Sequence, residues 1–192
     1  MKGSKTAGGS GLHSATMARA RDQGATDTAH WEAVEEATEL LAEGRVQEGL
    51  VALRDVIKAS PSNAYAYYFL GQALFDIDQI APARDAYRAA LLVSPDYLGA
   101  RIGLSHALRR LGDHEGAIGA AKEALRRVPK DGDAMYAMGL AYAARGQRHL
   151  ARKHLEGFLA AGPELEAAME VRQILETLGL GDEGDPIRFD DE

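Results

Sequence analysis

Cysteine is absent from the 192 residues, which excludes a disulfide scaffold, a thiolate zinc site and a cysteine nucleophile, and fits a reducing compartment. Long apolar runs are missing too. No stretch approaches the roughly 18 consecutive apolar residues of a membrane span, and none follows Lys2 and Lys5 as in a secretory leader. The expectation is a soluble, unexported, cytoplasmic protein without a membrane contact. Metal and nucleotide motifs are also lacking. There is no HExxH, and His149 and His154 stand five residues apart instead of the four that aligns two ligands on one helix face. "GGSG" has no strand before it, and "FDID" (75–78) lacks the glycine and glutamate spacing of a calcium loop. No nucleophile stands beside a base, so the chain is expected to be non-catalytic and to need no cofactor.

What is present is ordinary for one folded unit: 46% hydrophobic and 27% charged residues, with a net charge of −7. The charge is unevenly placed. Residues 1–29 carry +2, 30–100 carry −6, 101–153 carry +6 and 154–192 carry −9. Such blocks bear on association and its salt dependence, not on fold. The basic stretch "ARGQRHLARKH" (144–154) attracts phosphates in principle. In an acidic chain without a nucleic-acid motif, no nucleic-acid partner is expected. Arginine outnumbers lysine 16 to 6 and alanine is abundant, a composition that points to a high-GC bacterial source.

Prolines at 61, 95, 129 and 163 recur every 34 residues and set the register of four repeats, 30–63, 64–97, 98–131 and 132–165. Position 8 of each is Ala37, Gly71, Ser105 and Gly139, and position 20 is Gly49, Ala83, Ala117 and Ala151. Position 11 is Leu40, Leu74, Leu108 and Tyr142, while position 24 is Leu53, Tyr87, Ala121 and Leu155. Each repeat has two apolar stripes of helical period, split by turns near "EGRVQ", "IDQIAP", "LGDHEG" and "ARGQRH". That pattern is a helical hairpin. Small residues at 8 and 20 permit close approach of the two helices, and proline stops the second helix.

In this period and pattern the chain resembles the tetratricopeptide repeat (TPR) family over residues 30–165. Repeats 2 and 4 ("YYFLGQALF", "MYAMGLAYA") match best. Repeat 1 departs at Ala33 and Glu36, and repeat 3 at Arg101 and Ala121. The resemblance implies an all-α, right-handed superhelical solenoid of four helix-turn-helix repeats. Residues 164–178 form an amphipathic C-terminal capping helix, since Arg172, Gln173 and Glu176 fall where a fifth repeat needs packing groups. The first 29 residues, poor in large apolar groups, read as a disordered tail, with Met17 as a second candidate start. Residues 179–192 read as an acidic tail.

The resemblance further implies a function. First helices of such repeats line a concave face through positions 2, 5, 6, 9, 12 and 13. On this chain that gives a candidate partner-binding groove of Trp31, Tyr65, Tyr68, Phe69, Gln72, Ile102, His106, Arg109, Arg110 and Tyr136. Beside the aromatic residues, Gly99 and Gly103 are expected to leave a hollow. Arg109 and Arg110 have two readings: solvated helix-end cations offsetting the helix dipole by about 0.3–1 kcal/mol, or partners for carboxylates of a bound segment. Trp31, Tyr65 and Phe75 likewise fit either a groove or packing between repeats. The family's clamp for the Hsp70 and Hsp90 C-terminal carboxylates is not expected. Its positions hold Val34, Thr38, Phe69, Gly99 and Gly103, or, one repeat on, Tyr68, Gln72, Gly103, Asp133 and Ala137.

The expected function is a protein-interaction adaptor that binds a peptide or helix, with an acidic segment as one candidate ligand. The alternatives are a chaperone for a secreted or assembling subunit, and a self-associating scaffold. The acidic tail is a candidate intramolecular competitor, because attachment raises its effective concentration toward the millimolar range.

Overall fold

The computed structural model describes the backbone of residues 10–179 and the side chains of residues 26–179. Among the described residues there are nine helices and no strand. They are α1 (Ser10–Ala42), α2 (Val46–Ala59), α3 (Ala64–Asp76), α4 (Ile80–Val93), α5 (Leu98–Arg110), α6 (His114–Arg127), α7 (Gly132–Ala144), α8 (Arg148–Ala160) and α9 (Leu165–Gly179). Successive helices pack as antiparallel pairs, α1 with α2 through α7 with α8. α3, α5 and α7 each also pack on both helices of the pair before them, and α9 packs on α8. The described residues therefore form an all-α repeat solenoid, with α9 packed on its last hairpin.

Local chemistry explains the pairs. Three turns within a pair place a glycine in the left-handed region, Gly44, Gly112 and Gly146, with φ of 76°, 81° and 81°. In the α3–α4 turn the equivalent residue is Asp78, at φ 62°. Aspartate tolerates this conformation better than most side chains. Asn63 caps α3, accepting from the Ala66 N–H at 3.2 Å, and Asp131 caps α7 through the Ala134 N–H at 2.8 Å. Pro82 lies in the first turn of α4, where a missing N–H breaks no helical bond.

The small positions meet large neighbours. A Cβ at Gly71 would lie 2.7 Å from the Tyr87 ring, and one at Gly139 would lie 2.7 Å from Leu155. At the same position Ser105 fits by donating its hydroxyl to the Ala117 carbonyl at 2.8 Å. The departures in repeat 1 have a structural reason. Ala33 and Glu36 line a cleft of about 710 Å³ at the open N-terminal end of the solenoid, together with Leu40, Val51 and Val56. Among the described residues no further repeat packs there, which leaves room beside a small residue at 33 and a charged one at 36.

Asn63 also ties the first repeat to the second, because its side-chain amide donates to the His30 carbonyl at 2.8 Å and the residue is wholly buried. Asn63→Ala leaves that carbonyl and the Ala66 N–H without their partner. We expect a loss of about 1–3 kcal/mol in a denaturation midpoint analysis, with the helical circular dichroism of the folded state unchanged.

Composition misleads at the N-terminus. Residues 10–29, read above as disordered, belong to α1. No proline precedes Pro61, and alanine, arginine, methionine and glutamine favour the helix. The packed part of α1 supplies the nucleus, so extending it avoids the cost of starting a new helix. Residues 1–9 and the acidic segment 180–192 lie outside the described residues.

Candidate functional site

The odd-numbered helices present a band of rings on one face. Trp31, about half exposed, meets Tyr65 edge-on with centroids 5.4 Å apart and Phe69 at 5.9 Å. Tyr68 lies 5.2 Å from Phe69, and the Tyr65 hydroxyl donates to Asp27 at 2.9 Å. Tyr97 was not among the expected site residues, yet it joins Tyr65 at 5.6 Å and Tyr68 at 4.9 Å. It occupies position 34, immediately before α5, outside the helix-face pattern that selected the others. Below this band a pocket of about 230 Å³ opens between α1 and α3. Leu41, Val46, Phe69 and Ile77 give it an apolar floor, with Gln72 and Asp76 among its polar residues.

The hollow expected at Gly99 and Gly103 is filled. A Cβ at Gly99 would lie 3.2 Å from the Tyr68 ring, and one at Gly103 would lie 2.5 Å from the ring of Tyr87. Both glycines therefore receive a tyrosine from the preceding repeat, which leaves no space for a ligand. Ile102 also serves packing, against Ala121, Ala137 and Met138.

The two arginines have separate fates. Arg110 donates to Asp78 at 2.7 Å and lies over the Phe75 ring at 5.7 Å. It is thus bound to the neighbouring repeat's turn, although an ion pair this exposed contributes at most about 1 kcal/mol. Among the described residues Arg109 has no such partner, and its Nε is buried without an acceptor. Burial lowers its pKa, opposed by nearby Tyr136. A half-buried guanidinium without an acceptor favours a carboxylate that can supply one.

His106 lies beside Arg109 with its ring 5.9 Å from that of Tyr136. Burial, reinforced by the Arg109 charge, holds its pKa down at about 4, so the imidazole is neutral at pH 7. Tyr136 donates to Glu170 of α9 at 3.1 Å, and burial together with that carboxylate pushes its hydroxyl up to about 12. At the pocket, burial raises the Asp76 pKa. The face therefore joins an aromatic band, an apolar pocket beside a carboxylate, and a cation without an acceptor. Among the described residues no group of three His, Asp or Glu is placed to hold a metal ion.

No helix among the described residues is long and apolar enough to cross a membrane. Comparison with known proteins gives consistent results. The tetratricopeptide repeat profile matches residues 34–96, 75–132 and 133–161. A curated relative, the probable biofilm formation methyltransferase WspC of Pseudomonas aeruginosa, is 33% identical over 98 residues, which is 51% of this chain. The match covers only 23% of that relative's length. Among solved structures, a thermophilic TPR protein of Thermus thermophilus is 26% identical with a TM-score of 0.66, covering 80% of this chain and 83% of that one. PilW, described as a type IV pilus biogenesis factor, gives a TM-score of 0.69 at 22% identity over 79% and 72% of the two chains. A double mutant of MamA RS-1 gives 0.68 at 18% identity over 82% and 85%. The last two likenesses speak to fold alone. With a 34-residue period, paired helices and profile matches running from 34 to 161, the chain belongs to the tetratricopeptide repeat family.

Proposed function

We propose that this protein is a non-catalytic adaptor that holds a peptide or helix of a partner protein on the face formed by its odd-numbered helices. The observation that carries the reading is the open aromatic band from Trp31 to Tyr68 alongside Arg109, a cation without an acceptor. Aromatic and arginine side chains dominate binding energy at protein interfaces because they combine large contact area with directed polar groups. In this reading the ligand sets an apolar side chain in the 230 Å³ pocket and a carboxylate on Arg109. Gln72, exposed at the pocket, supplies an amide to its backbone.

The test is affinity capture from the native cell by wild-type protein and by a Trp31→Ala, Arg109→Ala double variant of unchanged helicity. Each truncation at a hot spot costs roughly 2 kcal/mol. The captured partner should therefore bind the double variant about 1,000-fold more weakly, to an order of magnitude. Retention of every partner at wild-type affinity sinks the groove reading.

A second reading, self-association through a terminal surface, is favoured by the 710 Å³ cleft at the N-terminal end, whose Val51 is exposed. A molar mass that stays monomeric on concentration removes it.

A further inference from the structure

The groove carries two unanswered charges of opposite sign. Asp76, the last residue of α3, lines the 230 Å³ pocket together with the apolar Leu41, Val46, Phe69 and Ile77. Burial raises its pKa, and no neighbouring cation brings it back down. The cations nearest in the chain are engaged elsewhere, Arg45 with Glu43 and Glu48, and Arg110 with Asp78. Arg109, the penultimate residue of α5, is the reverse case. Its Nε lacks an acceptor among the described residues, and burial lowers its pKa, as does the Arg110 charge. α3 and α5 pack together, and packed helix axes lie about 8–10 Å apart. Both residues stand in the last turn of their helices, so roughly one such spacing, on the order of 10 Å, separates them.

The surroundings of Asp76 suit a cation. Asp27 accepts from the Tyr65 hydroxyl at 2.9 Å, and beyond the effect of burial the charges of Asp133 and Asp76 also raise the Tyr68 pKa. Negative charge thus runs along the aromatic band, and ring faces attract cations as well. A plain aliphatic side chain in the pocket would desolvate Asp76 further without compensating it, and a carboxylate there would be repelled. A side chain that is apolar along its stem and cationic at its tip meets both the apolar floor and the acid, which is the chemistry of lysine and arginine. At Arg109 the requirement inverts. His106 beside it is neutral at pH 7, so no second cation competes there for an incoming carboxylate.

We infer that the groove takes a partner segment of mixed charge, with a lysine or arginine entering the pocket against Asp76 and an aspartate or glutamate on Arg109, about three residues of extended chain away. Resting on the groove reading, this identifies the apolar side chain in the pocket as the stem of a basic residue. Asp76 is then a specificity determinant. A segment with the two charges exchanged would place like on like at both ends, which rejects it.

A random peptide library displayed on phage and selected on the full-length protein reads this preference directly. Wild type should enrich peptides with a basic and an acidic residue about three positions apart. Asp76→Asn should lose the basic preference and keep the acidic one, and Arg109→Ala should do the reverse. Asp76→Lys should exchange the basic preference for an acidic one, a gain that no misfolded variant can produce. By fluorescence anisotropy, a synthetic copy of an enriched peptide should bind Asp76→Asn about tenfold more weakly than wild type, the usual size for a hydrogen bond to a charged group. Peptides that share an acid and an apolar residue but no base, and that fail to bind the Trp31→Ala, Arg109→Ala variant, overturn the inference and leave the groove reading standing. A basic preference that survives Asp76→Asn overturns it in the same way. Peptides that bind the double variant as well as wild type, or no enrichment at all, overturn both.

Discussion

Tyr87→Ala is expected to lower the free energy of unfolding by about 3–5 kcal/mol, as truncation of a buried aromatic residue does. The ring is 4% exposed and sits against the backbones of both Gly71 and Gly103. It also lies 6.2 Å from the Tyr68 ring. Removing it empties the seam between the second and third repeats, and two glycines have no side chains to move into the void. Tyr87→Phe keeps the ring and should stay within about 1 kcal/mol. Gly103→Ala probes the same seam from the other side. Its methyl would stand 2.5 Å from the ring, so overpacking by about 1–3 kcal/mol is expected. Urea denaturation followed by circular dichroism separates the cases. A Tyr87→Ala midpoint equal to wild type would show that the ring is not a packing element.

Acid should weaken the fold through His106. Its folded pKa is about 4, below the ordinary 6.5, because burial and Arg109 disfavour the charged ring. Between those values the unfolded chain binds more protons than the folded one, so stability is complete above pH 6.5 and falls as the pH drops toward 4. At pH 4.5 the loss from this one group is about 2–3 kcal/mol. His154, whose pKa is also lowered by burial, adds in the same direction. His106→Gln keeps a neutral polar side chain and should flatten the dependence by about that amount. Parallel slopes for wild type and variant between pH 7 and 4.5 would contradict the burial of a neutral imidazole. Arg109→Ala should also reduce the slope, since it removes the neighbouring charge but leaves the desolvation.

Much of the fold is legible in the sequence because its causes are local and periodic. The 34-residue spacing of four prolines and the small residues at positions 8 and 20 identify an array of helical hairpins. Glycine at position 15 in three repeats announces a left-handed turn residue. Asp78 fills that position in the other repeat, and only the structure reveals its second role as the partner of Arg110. The candidate site is less legible, because its features depend on which side chains meet across repeats. Residue type alone gives Arg109 and Arg110 the same meaning, but the neighbouring turn engages one and leaves the other without an acceptor. Likewise, Gly99 and Gly103 signal space in the sequence. The structure fills that space with Tyr68 and Tyr87, because a glycine can be a seat for a neighbour's ring as well as an opening for a ligand. The sequence by itself thus determined the helical repeat and its 34-residue period. Tertiary structure alone decided which charges are spent internally and which cavities remain, since pairing and filling depend on side chains distant in the chain being brought within a few ångströms.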